Sequence, residues 1–221
     1  MPTLRSPHNL RCEWMTNPLG VGVAPPRLSW EVRDTRRGAR QTAWRVEVTE
    51  ATAGGRKVLW DSGKTAGDQT HGVAYAGPPL RSGQALEWRV QTWDADDRES
   101  PWSRRASWEM GLLERSDWTA AWIGGPLVGD RWTSVPCPYL RRDFTLSGPV
   151  RRARLYATAL GLYEFHLNGR RVGQDVFAPG WTDYRKRVQV QVYDVTELLS
   201  EGPNAAGAIL GDGWYCGHVE W

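Results

Sequence analysis

The chain contains few cysteines and histidines. Of its 221 residues, three are cysteine (Cys12, Cys137 and Cys216) and four are histidine. Three widely separated cysteines provide no disulfide framework, and their spacing fits no Cys/His zinc site. The absence of structural disulfides favours a reducing compartment.

Long apolar runs are also absent. No stretch approaches the roughly 20 apolar residues that a membrane-spanning helix needs. The first residues, Met-Pro-Thr-Leu-Arg-Ser-Pro-His, lack the apolar core of a signal peptide. We therefore expect a cytoplasmic protein outside the membrane, and secretion by another route stays open.

Neither sign of charge dominates, because 28 basic and 25 acidic residues give a net charge of +3. Three basic clusters could suggest a nucleic-acid surface: Arg141-Arg142, Arg151-Arg152 and Arg185-Lys186-Arg187. Acidic residues are interleaved among them and no basic helix is evident, so we interpret them as solvated strand faces. Phosphate-binding loops and Ser/His/Asp catalytic patterns find no support either.

Helical periodicity is rare, whereas short alternating runs separated by Gly, Pro and Asp recur along the chain. This pattern predicts an all-β fold. Trp44, Val46 and Val48, for example, face one way along a single run. The strands predicted for the first half are Arg27–Val32, Ala43–Thr49, Val58–Asp61, Leu86–Asp94 and Ala106–Met110.

We predict two β-sandwiches, at residues 1–112 and 113–221. About seven strands in 100 residues suit an immunoglobulin-like or fibronectin type III sandwich for the first, and the missing disulfide favours the fibronectin type. In the second we predict strands Tyr139–Phe144, Arg152–Thr158, Leu162–Leu167, Val188–Val192 and Ala206–Leu210, with one helical turn at Val195–Leu199. Five strands are too few for a closed eight-stranded jelly roll. We therefore expect this sandwich to be incomplete and the chain to be a piece of a longer protein.

The most informative stretch runs from Leu162 to Thr196. An alternating strand leads into Asn168-Gly169, a dipeptide that favours a tight primed hairpin turn. A loop rich in aromatic and polar residues follows, and a second alternating strand closes the stretch. We expect most of the 14 tryptophans to fill sandwich cores and a few in loops to be free to stack on a ligand.

The first candidate binding loop carries Trp181, Asp183 and Tyr184. Pro179-Gly180 forces a turn just before Trp181, which argues against its deep burial. Aromatic faces stack on the C–H face of a sugar ring, and carboxylates accept hydrogen bonds from its hydroxyls. We weigh sugar binding by this loop equally against an alternative in which Trp181 plugs the end of the sandwich and Asp183 caps backbone amides.

The second candidate loop carries Asp212, Trp214 and Tyr215. Glycines on both sides of Asp212 let the backbone turn sharply and place the carboxylate at the mouth of the sandwich. Asp212 is the best single candidate for ligand contact, with an ordinary β-turn aspartate as the alternative. We expect the two candidate loops to meet at one end of the second sandwich.

Many short motifs follow one another in a distinctive order. In the first half they are Asn17-Pro-Leu-Gly, Pro26-Arg-Leu-Ser-Trp, Leu59-Trp-Asp-Ser-Gly, Glu87-Trp-Arg-Val-Gln-Thr-Trp-Asp and Trp108-Glu-Met-Gly-Leu-Leu. In the second half they are Gly161-Leu-Tyr-Glu, Leu167-Asn-Gly-Arg-Arg-Val-Gly, Ala178-Pro-Gly-Trp-Thr-Asp-Tyr and Gly211-Asp-Gly-Trp-Tyr. This order resembles the fibronectin-type leader and the jelly-roll or galactose-binding-like module of bacterial α-L-rhamnosidases, over nearly the whole chain.

The resemblance implies a parent enzyme that removes terminal α-L-rhamnose from glycosides with inversion. Its two catalytic carboxylates would lie in a helical (α/α)₆ barrel beyond Trp221, so no catalytic residue is assigned in this chain. The implied partners are rhamnose-containing glycosides and the downstream catalytic domain, with no nucleic acid and no membrane. The chain would brace the barrel and contact carbohydrate.

Calcium enters only through the resemblance, since the rhamnose-binding version of the second module uses it. No EF-hand-like or clustered acidic loop supports a calcium site, and we expect no cofactor. Two alternative functions stay open. One is a purely structural pair of sandwiches without sugar contact, and the other is a fibronectin-type protein-interaction module. The Trp/Asp/Tyr loops argue against the protein-interaction module, because a plain adhesion domain has no role for them.

Overall fold

A computed structural model describes residues 4–52, 54–126, 129, 133 and 135–217. The chain folds as two compact units, unit 1 (Met1–Thr119) and unit 2 (Ala120–Trp221). Strands account for nearly all regular structure in both units, which confirms the all-β prediction. No helix among the described residues is long and apolar enough to cross a membrane. The exact domain bounds, 1–112 and 113–221, stay a prediction.

Unit 1 consists of two antiparallel sheets. Its strands are β1 (Leu4–Cys12), β2 (Arg27–Asp34), β3 (Ala43–Thr52), β4 (Gly55–Asp61), β5 (Thr65–Ala66), β6 (Val73–Ala74), β7 (Ala85–Trp93) and β8 (Ala106–Glu109). Strands β1, β2 and β6 form one sheet, and β4, β3, β7 and β8 form the other, with β5 paired to β3. This division of strands agrees with the predicted fibronectin type III-like sandwich.

Tryptophan and valine side chains fill the core of unit 1. Along β3, Trp44, Val46 and Val48 are only 8%, 0% and 0% exposed, as their alternation predicts. Among the tryptophans that the structure describes, the buried ones are Trp30, Trp44, Trp88, Trp93 and Trp108. Trp60 is partly buried against the same core, and Trp132 and Trp221 lie outside the described residues. Six of the twelve described tryptophans thus lie in or against a core, which is fewer than the predicted majority. Several instead lie in partly or fully exposed loops.

Unit 2 is a second sandwich. Its strands are β9 (Tyr139–Leu146), β10 (Arg154–Ala157), β11 (Leu162–Leu167), β12 (Arg170–Arg171), β13 (Gln191–Asp194) and β14 (Gly202–Gly211). Strands β12, β11, β14 and β9 form one sheet, and β10 pairs with β13. Side chains from both sheets share a core that includes Phe144, Leu155, Phe165, Leu167 and Tyr193. Its assignment as a jelly roll stays a prediction.

Several elements differ from the sequence prediction, and the short strands β5, β6 and β12 are not predicted at all. The pattern does not predict β1, because its register with β2 shifts twice and breaks the alternation. The predicted strand Val188–Val192 is wrong, since β13 starts at Gln191, opposite the last residue of its partner β10. The turn expected at Val195–Leu199 is a single 3₁₀ turn, Thr196–Leu198, and a four-residue helix, α1 (Gly213–Cys216), was not expected.

The hairpin at Asn168-Gly169 forms as predicted. Leu167 pairs with Arg170 across it, and both turn residues have positive φ, 50° and 76°, which is the type I′ conformation. This turn lies at the Ala206 end of β14, however, whereas both candidate loops are attached at the Leu162 and Gly211 end. The hairpin therefore does not itself project the first loop. The chain after β12 returns along the unit to reach it.

Two asparagines join the hairpin to the segment before β14. The Asn168 Nδ2 group donates to the Leu198 carbonyl (2.9 Å) and to Asn204 Oδ1 (2.8 Å). Buried Asn204 donates in turn to the carbonyls of Ser200 (2.7 Å) and Gly202 (2.9 Å). Asn168 thus does more than form the turn, because its side-chain amide also fixes the start of β14.

Gly161 lets the ends of β11 and β14 approach closely. A Cβ atom at Gly161 would lie 2.4 Å from the Gly211 carbonyl oxygen, and its φ is +105°. Only glycine avoids both the clash and the unfavourable backbone conformation. This contact fixes where the chain leaves β14 toward the second candidate loop.

We predict that Asn204→Ala lowers the free energy of unfolding by about 2–3 kcal/mol, because buried polar groups lose their partners. Urea unfolding monitored by circular dichroism measures the loss. Glu201→Ala, at an exposed position on the same segment, is the control and should change stability by less than about 0.5 kcal/mol. Equal effects of the two variants would contradict the role of Asn204.

We predict that Gly161→Ala destabilises the protein more than Gly169→Ala. Both residues have positive φ, so each variant loses roughly 1–2 kcal/mol to backbone strain. Only the Gly161 variant adds the clash with Gly211, since a Cβ at Gly169 meets nothing within 4 Å. The overpacking adds about 1–3 kcal/mol. Denaturant midpoints of the two variants test this, and identical midpoints would refute the close-approach argument.

Candidate functional site

The first candidate loop is anchored directly before Trp181. Ala178 and Pro179 are buried. The Ala178 carbonyl accepts a hydrogen bond from the Tyr163 N–H (2.9 Å), and the Pro179 carbonyl accepts one from Gln191 Nε2 (3.1 Å). Trp181 follows this anchor and is 73% exposed. Trp181 therefore does not plug the end of the sandwich, so this part of the alternative is wrong. Its other part is confirmed, because the Arg185 backbone N–H donates to Asp183 Oδ1 (3.3 Å).

Two tyrosines form the floor under this anchor. The Tyr163 hydroxyl donates to Gln191 Oε1 (3.0 Å) and lies 3.2 Å from the Tyr193 hydroxyl. Burial raises the pKa of Tyr163, and burial together with the hydrogen bond to Tyr163 raises the pKa of Tyr193. Both hydroxyls therefore keep their protons at neutral pH, and the Tyr163 hydroxyl holds Gln191 against the loop.

The second candidate loop turns at α1, directly after β14. Gly213 has φ +52°, and a Cβ there would lie 2.6 Å from Leu162 Cγ, so the loop packs tightly on the start of β11. The Gly217 N–H donates to the Gly213 carbonyl (3.2 Å) and closes the turn. Trp214 and Tyr215 stay 43% and 50% exposed on its outer side.

The two candidate loops meet, as predicted. The rings of Tyr184 and Tyr215 pack edge to face with centroids 5.4 Å apart, and those of Phe177 and Trp214 do so at 6.1 Å. We call Phe177, Trp181, Tyr184, Trp214 and Tyr215 the aromatic platform. Exposed aromatic rings grouped in this way form a surface suited to stacking or docking.

An open recess of about 470 Å³ lies at the platform. It is lined by Trp181, Thr182, Asp183, Tyr184, Arg185 and Tyr215. Four of the six residues predicted from the sequence thus border one cavity. Asp212 and Trp214 are not among its lining residues, although their neighbour Tyr215 is.

The two candidate aspartates differ in how far they are already paired. Asp183 forms ion pairs with Arg185 (3.2 Å) and Lys186 (3.5 Å), and its carbonyl accepts the Lys186 N–H. Asp212 is exposed and makes no side-chain cap to α1. Among the residues up to Gly217 that the structure describes, the one donor to its Oδ1 is the Cys216 thiol, a weak bond of 3.6 Å. Asp212 therefore has more free acceptor capacity for a ligand.

Sequence reasoning missed three residues of this surface, Phe177, Thr182 and Arg185. Phe177 is 63% exposed next to Val176, which is 69% exposed. An apolar Val-Phe pair between Asp175 and the Ala178-Pro-Gly turn was the available signal. Arg185 lines the recess and gives it a cation beside the carboxylate of Asp183.

No group of three or more His, Cys, Asp or Glu side chains that could hold a metal ion occurs among the described residues. The part of the chain that the structure describes thus offers no cluster of three carboxylates for the calcium suggested by the resemblance. The three cysteines are free thiols, with Cys12 buried and Cys137 and Cys216 exposed.

Two protein families match this chain. Residues 7–114 match the family described as "Rha78A-like, N-terminal immunoglobulin domain", and residues 148–221 match the "Alpha-L-rhamnosidase N-terminal domain". The first match covers most of unit 1, and the second covers the stretch that carries both candidate loops.

Curated relatives and solved structures agree with these matches. An α-L-rhamnosidase of Formosa agariphila is 39% identical over 217 residues, which are 95% of this chain and 23% of that protein. The α-L-rhamnosidase structure from Dictyoglumus thermophilum matches with a TM-score of 0.87 and 36% identity, over 97% of this chain and 26% of the other. The structure of a Streptomyces avermitilis α-L-rhamnosidase complexed with L-rhamnose matches with a TM-score of 0.89 and 28% identity. The match covers 98% of this chain and 37% of the other.

The four curated relatives, all α-L-rhamnosidases, are much longer than this chain, which spans between 23% and 36% of their length. Both matched domains are described as N-terminal. Two independent domain matches in order, together with the likeness in structure, leave one assignment. The chain carries the immunoglobulin-like and the N-terminal domains of α-L-rhamnosidases and corresponds to the N-terminal part of those proteins.

Proposed function

We propose that this chain is the non-catalytic N-terminal part of an enzyme that hydrolyses terminal α-L-rhamnose from glycosides. The ordered match of both units to rhamnosidase N-terminal domains carries the proposal. In this function unit 2 braces the catalytic barrel and presents the aromatic platform to carbohydrate.

The carboxyl groups of the described residues support a non-catalytic role. An inverting glycosidase needs two separated carboxyl groups, one of them kept protonated by a raised pKa. Each described carboxyl group whose pKa is displaced has it lowered, by arginine partners or by nearby backbone N–H and hydroxyl donors. At the recess, Asp183 is paired with two cations. None of these groups suits the task of a general acid.

The aromatic platform supports contact with sugar. Rhamnose is a 6-deoxy sugar, so its methyl group enlarges the apolar face that can stack on an indole ring. Trp181 offers such a ring at the edge of a recess large enough for a monosaccharide. Asp212 supplies a free carboxylate in the adjoining loop to accept hydrogen bonds from ring hydroxyls.

A second candidate function is docking of protein on the same platform without sugar contact. Val176, Phe177 and Trp214 favour it, because they are exposed beside the recess yet are not among its lining residues. Tyrosine and tryptophan are also the residues that anchor protein interfaces. Measured sugar binding separates the two functions.

We predict that the chain binds L-rhamnose and that Trp181→Ala and Asp212→Asn each weaken binding by about tenfold or more. Loss of a stacked ring or of a charged hydrogen bond has this magnitude. Saturation-transfer NMR titrations of the 221-residue chain measure the affinities. L-Mannose, which carries a hydroxyl where rhamnose has hydrogen, should bind more weakly.

Trp14→Ala is the matched control, because Trp14 is a 59% exposed tryptophan of unit 1 outside the platform. It should leave rhamnose affinity unchanged. If Trp181→Ala and Trp14→Ala bind alike, the platform is not the sugar site. If the unmodified chain does not bind rhamnose, the docking function replaces sugar contact.

We also predict that the purified 221-residue chain does not release nitrophenol from p-nitrophenyl α-L-rhamnoside, because the acid and base are assigned to another part of the enzyme. The control is the Asp183→Asn/Asp212→Asn double variant, whose background rate should equal that of the unmodified chain. Turnover by the unmodified chain that disappears in the double variant would place catalysis within this chain.

A further inference from the structure

A second groove lies on unit 1, apart from the residues used so far. It has a volume of about 640 Å³. We call it the arginine groove, and its lining residues are Ser6, Pro7, His8, Asn9, Leu10, Thr16, Asn17, Arg33, Trp102, Arg104, Arg105 and Ala106. These come from β1, the turn after it, β2 and the segment that leads into β8. Its size is that of a small-ligand site.

The charge of the arginine groove is one-sided. Three of its lining residues are arginine, Arg33, Arg104 and Arg105, and none is acidic. Arg33 and Arg104 are exposed, and no carboxylate in the described part of the chain forms an ion pair with either. The groove thus presents guanidinium groups whose charge the protein leaves uncompensated.

The pairing of β1 with β2 brings another arginine, Arg5, next to Arg33. Arg5 on β1 lies directly opposite Arg33 on β2. Like charges at directly opposed positions of an antiparallel pair destabilise the sheet. Glu31, the nearest carboxylate on the same face of β2, is paired with His8 (3.3 Å), and no described carboxylate forms an ion pair with Arg5 or Arg33. A bound anion would offset the repulsion.

The third arginine is held in place beneath the groove. Arg105 donates to Glu47 Oε1 (3.0 Å) and to Thr49 Oγ1 (3.1 Å). The same carboxylate accepts a two-pronged pair of hydrogen bonds from Arg89, at 2.8 and 3.0 Å. The single negative charge of Glu47 is therefore shared by two guanidinium groups, those of Arg89 and Arg105, and their sum stays positive.

A ring and several neutral donors complete the lining. Arg89 lies over the ring of Trp102, 4.3 Å from its centroid, and so fixes the indole at the border of the groove. Asn17 accepts the Ser107 N–H through Oδ1 (2.9 Å), which leaves its amide N–H groups to donate. The hydroxyls of Ser6 and Thr16 are further neutral donors. Guanidinium groups beside neutral donors suit a ligand that carries both an anion and hydroxyls.

We propose that the arginine groove binds an acidic saccharide, whose carboxylate or sulfate group contacts Arg33 and Arg104 while its hydroxyls meet the neutral donors. The choice of a saccharide over an acidic peptide rests on the proposed function in glycoside hydrolysis. The groove would hold the charged part of a polymeric substrate on unit 1, independently of rhamnose at the platform of unit 2.

Affinity electrophoresis and calorimetry of the 221-residue chain test this with four polymers: polygalacturonate, dextran sulfate, neutral dextran and poly-L-glutamate. We expect binding to polygalacturonate or dextran sulfate at low ionic strength, and which one binds identifies the anion. Rising salt should weaken binding, because it screens exposed charges. The Arg33→Gln/Arg104→Gln variant should bind at least about tenfold more weakly, the effect of losing charged hydrogen bonds.

The Arg37→Gln/Arg40→Gln variant is the matched control, since both residues are exposed on unit 1 outside the groove and the change in net charge is identical. It should bind like the unmodified chain. Equal losses in the two double variants would show that net charge alone attracts the polymer, and would overturn the proposal. So would equal binding to neutral dextran, failure to bind either acidic polysaccharide, or tighter binding to poly-L-glutamate.

Circular dichroism melting of both double variants establishes that they fold. Rhamnose binding should be unchanged in Arg33→Gln/Arg104→Gln, so failure of the arginine groove and failure of the platform give different results. Loss of both activities in a folded variant would contradict two independent sites.

Discussion

The pairing of β11 with β14 is the constraint on which the candidate site depends. Six residue pairs, from Leu162 with Gly211 to Leu167 with Ala206, fix the register of these strands. The first loop is tied to β11 through the Tyr163 N–H, and the second leaves β14 at Gly211. Because side chains alternate along a strand, a slip of one residue would turn Phe165 and Leu167 out of the core and separate the two loops.

The exposure of the platform rests on polar contacts below it. Ala178 and Pro179 are held by hydrogen bonds to β11 and β13, so the loop does not need to bury Trp181 to stay ordered. The rings contact one another edge to face, and Trp181, Trp214 and Tyr215 stay 73%, 43% and 50% exposed. Exposed apolar surface of this kind is unfavourable in water, and this is the physical reason to assign it a ligand or a partner.

Local signals in the sequence predicted local structure well. Asn168-Gly169 forms its primed turn because the dipeptide itself prefers positive φ, and glycine-flanked Asp212 lies in a sharp turn. The start of β13 was mispredicted because a partner strand, β10, decides which residues pair. The arginine groove could not be predicted, since Ser6, Arg33 and Arg104 are far apart in sequence and only the sandwich brings them together.

The two units differ in the size of their cores. Among the described residues, fifteen buried side chains form the core cluster of unit 1, whereas Leu167, Val172 and Val195 alone are the buried members of the cluster in unit 2. We therefore expect unit 2 to melt before unit 1 on heating if the two units unfold independently, so that two transition temperatures describe the chain. A ligand that binds only folded unit 2 would delay the first transition by mass action and leave the second unchanged. Calorimetry thus reports which unit a ligand occupies, without any variant.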